Sequence, residues 1–88
     1  MTTERRSVDH ELKSWPASFQ GVWDGVKLAE LRRNDRDYQA GDTLTLREWQ
    51  PDITGGTYTG RMVRRRIIDV ADVGNWAPGY VLLSIEPL

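Results

Sequence analysis

Gly25-Val26-Lys27-Leu28-Ala29-Glu30-Leu31-Arg32-Arg33 reads as a helix end followed directly by a strand. Asp24-Gly25 supplies a helix stop, with Gly25 suited to a left-handed cap. From Leu28 to Arg33 the side chains alternate, with Leu28, Glu30 and Arg32 on one face and Ala29, Leu31 and Arg33 on the other. Upstream, Pro16 suits a first helical turn, and Phe19, Val22 and Trp23 fall on one helical face. Before that helix, Val8, His10 and Leu12 alternate with Asp9, Glu11 and Lys13, which predicts a short first strand stopped by Ser14-Trp15-Pro16.

Downstream the pattern stays β. Asn34-Asp35-Arg36-Asp37 is a polar turn, and Gly41-Asp42 opens a third strand over Thr43–Trp49 with Leu44 and Leu46 inward and the threonines outward. Pro51 to Gly56 is a hairpin loop, Thr57–Val73 a long strand bent at Gly60, 74–79 a loop, and Tyr80–Ile85 a last strand with Val81, Leu83 and Ile85 on one face. The expected fold is mainly β with one early helix (α+β), a small barrel of about five strands whose end the helix plugs. Residues 1–7 read as a frayed polar lead-in and 8–88 as a single domain.

Composition narrows the function. The 88 residues carry 12 Lys plus Arg against 13 Asp plus Glu, a formal charge of −1, with no cysteine and one histidine. No disulfide, thiolate metal site or cysteine nucleophile can be built, so no metal and no cofactor is expected. No apolar run approaches a membrane span, and no membrane partner is expected; the cytoplasm is the expected location. A pI near 5.7 argues against general nucleic-acid coating, so RNA or nucleotide binding would need a local patch.

The ordered series His10-Glu11-Leu12-Lys13, Gly25-x-Lys27-x-x-Glu30-x-Arg32, Asn34-Asp35-Arg36-Asp37-Tyr38, Gly41-Asp42 and Gly79-Tyr80-Val81-Leu82-Leu83 resembles a small stand-alone ASCH-like family of bacteria and their phages, within the PUA-like superfamily. The likeness covers about residues 8 to 86. It implies a PUA-like barrel with a cleft lined by the motif and a role in RNA or nucleotide recognition. Some ASCH members hydrolyse an acetylated cytidine nucleoside, with a threonine nucleophile three residues after the lysine. Glu30 holds that position here, so that catalysis is not carried over.

On their own chemistry, Lys27, Glu30 and Arg32 make a compact polar group able to donate to and accept from a base edge, or an ion-pair set at a solvated barrel mouth. Were the protein an enzyme, Lys27 and Glu30 would be its base and acid. Arg61, Arg64, Arg65 and Arg66 read as a phosphate track or as edge-strand charges that resist aggregation, with Arg64 and Arg66 on one face and Arg65 on the other. Trp76 is the stacking candidate, with Tyr38 and Tyr80 behind it; Trp49 sits at another loop edge, and Trp15 and Trp23 are expected in the core. His10, Lys13, Asp35 and Arg36 are secondary cleft candidates, His10 turned inward. The leading expectation is an RNA- or nucleotide-binding module; the alternatives are a small amidohydrolase acting on a modified nucleoside, or a module that binds a host protein.

Overall fold

The computed structural model describes residues 6–88. The elements run β1 (Asp9–Ser14), α1 (Pro16–Trp23), β2 (Ala29–Arg33), β3 (Thr43–Gln50), β4 (Thr57–Asp72) and β5 (Tyr80–Pro87). The strands form one strongly curled, half-barrel sheet in the order β1-β3-β4-β5-β2, with β1 parallel to β3 and every other pair antiparallel. Of the expected lead-in, residues 1–5 lie outside the described residues; Arg6 and Ser7 are exposed and in neither helix nor strand.

Local chemistry sets the elements. Trp15 is extended and Pro16 opens α1, so the proline ring costs no helical hydrogen bond; Gly25, with φ of 75°, ends the helix. Phe19 and Val22 enter the core with Leu12, Leu44, Leu46, Val63, Ile67, Val81, Leu83 and Ile85, the alternating inward positions of β1, β3, β4 and β5. Gly60, with φ of 94°, sits where the β3–β4 register shifts: Arg47 pairs with Met62 and Trp49 with Tyr58, so Thr59-Gly60-Arg61 bulge opposite Glu48. The bend expected at Gly60 is this bulge.

Three expectations fail. Trp15 and Trp23 are not core residues: they are 57% and 47% exposed. Trp23 lies on the flank of α1, tilted against Phe19 and covered by the Arg61 guanidinium 4.5 Å from its ring. Tyr38 does not stand behind Trp76 on the surface; it is buried in the core, edge-on to His10 at 4.7 Å. Thr45 points outward from its strand yet is buried, because the Asp9 carboxylate of β1 folds over its hydroxyl at 3.0 Å.

The two outer strands of the sheet are β1 and β2, and no backbone ladder joins them. Thr43 N–H donates to Val8 O, so the even residues of β1 bond to β3 and the odd ones face away. Ile85 N–H donates to Leu28 O and Asn34 N–H to Gly79 O, so the even residues of β2 bond to β5, leaving the backbone of Ala29, Leu31 and Arg33 turned to the free edge. Arginine side chains bridge the gap instead: Arg32 donates to Lys13 O at 3.0 Å and Arg36 to Glu11 O at 3.5 Å.

Candidate functional site in the seam between β1 and β2

The site begins at the turn after α1. The N–H groups of Val26 and Lys27 both donate to Gly21 O, which lays the Lys27 stem against Gly21; a Cβ on Gly21 would stand 3.1 Å from Lys27 Cβ. Lys27 then reaches along the helix, its ammonium donating to the Ser18 hydroxyl and lying 3.0 Å from Glu30 Oε1. Strand alternation turns Glu30 and Arg32 to the same side, and Arg32 clasps Glu30 Oε2 with Nε at 3.1 Å and Nη2 at 3.0 Å. Glu30, 2% exposed, is thus a buried carboxylate between two cations, the arrangement that makes its charge tolerable. The expected grouping of Lys27, Glu30 and Arg32 is real in space.

Around this group lies an open cleft of about 790 Å³, bounded by Ser14, Trp15 and Ser18 on the helix side, by residues 27–33 of the β2 segment, and by Tyr80 and Leu82 of β5. A second cleft of about 380 Å³ adjoins it through Trp15, Arg32 and Arg33 and continues along β1 past Glu11 and Lys13 to Asp35, Arg36, Tyr38 and Tyr58. Together they form one groove along the seam. Its cations are Lys13, Lys27, Arg32, Arg33 and Arg36; its acids are Glu11, Glu30 and Asp35, of which Glu30 is buried and Glu11 is paired with Arg47 at 3.0 Å. A chain of net charge −1 therefore gathers a positive surface in this groove. Lys13 also caps the Trp49 ring at 4.0 Å, and Trp49 meets Tyr58 edge-on, so Trp49 is half-buried behind two lining residues and lines neither cleft itself.

Among the other candidate residues, Tyr80 lines the groove, with the Arg33 guanidinium 5.7 Å from its ring. Asp35 and Arg36 line it at the β1 end. His10 is inward as expected, bound to Asp42, and it lines neither cleft. Trp76, 83% exposed, stands on the β4–β5 loop outside both clefts. Arg61, Arg64, Arg65 and Arg66 are not brought together with the groove. Arg61 stacks on Trp23, Arg65 donates to Val22 O at 2.9 Å, Arg64 lies 3.8 Å from Asp9 and Arg66 3.5 Å from Glu86.

Several groove residues escaped the sequence reading, Arg33, Ser18 and Trp15 among them. Ser18 shares a helical face with Gly21, and only the path of the chain after Gly25 brings Lys27 onto it; no spacing in the sequence signals that contact. Trp15 looked like core because it precedes a helix, yet it stands over the groove. Buried hydroxyls flank the site: neither Ser14 Oγ nor Tyr38 Oη has a hydrogen-bond partner among the described residues, and burial pushes the Tyr38 phenol above its ordinary value against the lowering pull of Arg36 and Arg32. Among the described residues no group of three or more His, Asp or Glu converges as a metal site requires, and no helix is long and apolar enough to cross a membrane.

Similarity to other proteins follows the same stretch of chain. A protein of Escherichia phage P2, described as "Uncharacterized 12.9 kDa protein in GpA 3'region", is 47% identical over 74 residues, 84% of this chain and 64% of that protein. The chain thus spans just under two thirds of that relative's length. The family model described as "Domain of unknown function (DUF3850)" matches residues 9–85, a span that takes in both strand edges of the seam and every residue lining the groove; the chain belongs to the DUF3850 family.

Proposed function

We propose that the protein is a recognition module whose seam groove binds a nucleotide or single-stranded RNA. The observation that carries this reading is the groove itself: five cations, the exposed Trp15 and the half-buried Tyr80 along one open channel, in a chain that is acidic overall. Cations that track a phosphate chain beside aromatic rings that stack bases are the usual means of binding unpaired nucleic acid. The likeness to PUA-like ASCH domains points the same way. Within the groove, Lys27 and Arg32 donate to base carbonyls, while Arg33 and Arg36 meet phosphate. The arginine run of β4 is the rival phosphate track.

Fluorescence anisotropy with a labelled mixed-sequence RNA tests the reading. Binding weakens steeply with salt, and Arg33→Ala with Arg36→Ala lowers affinity about tenfold while Arg64→Ala with Arg66→Ala changes it less than about twofold. The reverse ranking moves the phosphate track to β4. No saturable, salt-dependent binding at any concentration overturns the reading.

One contact favours a second reading, hydrolysis of an acylated nucleoside. Ser18 supplies beside Lys27 the hydroxyl that the strand motif lacks. In that chemistry Lys27 first passes a proton to Glu30, then takes one from Ser18 as its oxygen bonds the acyl carbon; the carbon–nitrogen bond breaks, the amine leaves with the proton from Lys27, and water releases the acyl group. Turnover of N4-acetylcytidine that is abolished by Ser18→Ala would establish it. The Lys27–Glu30 contact at 3.0 Å, which this chemistry must first undo, keeps it second.

A further inference from the structure

We propose that the free edge of β2 is a docking site for an extended acidic peptide, which adds to the sheet as a sixth strand in the seam. This goes beyond the nucleic-acid reading and does not rest on it.

The backbone makes the first case. Ladder bonding to β5 uses Leu28, Glu30, Arg32 and Asn34, and no hydrogen bond reaches the N–H or C=O of Ala29 or Leu31 among the described residues. The open cleft is lined by both residues and runs the whole length of β2 and back to Lys27. Folded proteins ordinarily blunt such an edge with proline, a bulge or a covering side chain. The edge of β1 across the seam is blunted in this way, since Arg36 and Arg32 cap its Glu11 and Lys13 carbonyls. The β2 edge carries no proline and its register with β5 is unbroken; among the described residues only its last carbonyl, that of Arg33, is capped, by the Asp35 N–H at 2.9 Å, and Ala29 and Leu31 are left open. The two lips of one seam are thus treated oppositely.

Side chains say what the added strand looks like. Outward from β2, Leu31 is 53% exposed and pairs across the ladder with Leu82, which also lines the cleft. Inward, Lys27 and Arg32 set two positive charges against the one of Glu30, and Arg33 adds a further cation on the outward face with Leu31. A strand lying along β2 would alternate apolar residues, packed on Leu31 and Leu82, with acids directed at Arg32 and Lys27. It would displace the Arg32 contact to Lys13 O.

The test uses a fluorescein-labelled octapeptide of alternating valine and glutamate, the same peptide with lysine for glutamate, and the valine–glutamate peptide N-methylated at every second residue. Saturable binding of the first is expected, at least about tenfold tighter than that of either control. Leu31→Pro, which removes an N–H that β5 does not use, lowers it by a similar factor; the N-methylated peptide asks the same question of the unaltered protein should that variant fail to fold. Equal binding of the N-methylated peptide overturns the proposal, as does absence of saturable binding by the valine–glutamate peptide. Self-association of the protein that Leu31→Pro abolishes, with no peptide binding, would replace the peptide with a second copy of this chain. Peptide binding without RNA binding leaves the proposal standing and removes the reading above.

Discussion

His10 Nε2 lies 2.9 Å from Asp42 Oδ2, and both side chains are buried although 32 residues separate them. Asp42 also accepts the backbone N–H groups of Val8 and Gln39, each at 3.1 Å. One carboxylate therefore ties the start of β1, the turn after Tyr38 and the start of β3, which holds the parallel pair in register. Asp42→Ala strips one buried and two part-buried donors of their acceptor and is expected to cost roughly 3 kcal/mol, measured by urea denaturation. A loss under about 1 kcal/mol would show that water replaces the carboxylate without strain.

Glu30 separates two cations that would otherwise face each other. Glu30→Ala is expected to destabilise by about 3 kcal/mol, since both Lys27 and Arg32 lose their buried partner. Lys27→Met costs about 1 kcal/mol or less, because the Lys27 side chain reaches solvent and Glu30 keeps Arg32. Equal losses from the two substitutions would contradict the central place given to the carboxylate.

Tyr38 gives the stability a pH dependence. Its phenol is buried with no hydrogen-bond partner among the described residues, and its folded value is raised above the ordinary 10.0. The folded state therefore holds this proton more tightly than the unfolded chain. The contribution is complete below about pH 10 and is lost as pH rises through the raised folded value. Tyr38→Phe removes the unpartnered hydroxyl, leaves stability at neutral pH unchanged or higher by about 1 kcal/mol, and flattens the alkaline fall of the urea midpoint. An alkaline limb that is the same in both proteins would exclude Tyr38 as its source.

Arg65 differs from its neighbours. Its guanidinium donates to Val22 O at the C-terminal end of α1, while the Arg64 guanidinium makes a long contact to Asp9 at 3.8 Å. Arg65→Ala should cost about 1 kcal/mol by uncapping the helix, and Arg64→Ala less than about 0.5 kcal/mol. The ranking is read from thermal or urea midpoints of the two single variants, and its reversal would place the helix contact outside the solution structure.

Much of the fold was legible because alternation survives in short strands. His10 and Leu12, Leu44 and Leu46, and Val81, Leu83 and Ile85 point inward as their spacing requires, and the Phe19–Val22 face of α1 does the same. What the pattern could not carry is the identity of the neighbour. Trp23 lies on the apolar side of its helix by spacing, yet Arg61 from a distant strand covers its ring and leaves it partly in solvent. Thr45 is buried by a carboxylate from a parallel strand that no local pattern pairs with it. At the candidate site, the pairing of Glu30 with Arg32 follows from strand alternation, whereas the reach of Lys27 to Glu30 and Ser18 depends on the turn after α1, and the β1 side of the groove on which sheet edges the chain leaves facing each other.

The strand order also governs when the chain can begin to fold during synthesis. The β3–β4 and β4–β5 pairs join neighbours in sequence, so that three-stranded meander can zip from its own turns. The first third of the chain has no such recourse: β1 finds its ladder partner in β3, and Ala29 of β2 finds Ser84 of β5. During synthesis β1 can therefore pair as soon as β3 has emerged, whereas β2, made before β3, β4 and β5, waits with its ladder unmade until β5 follows.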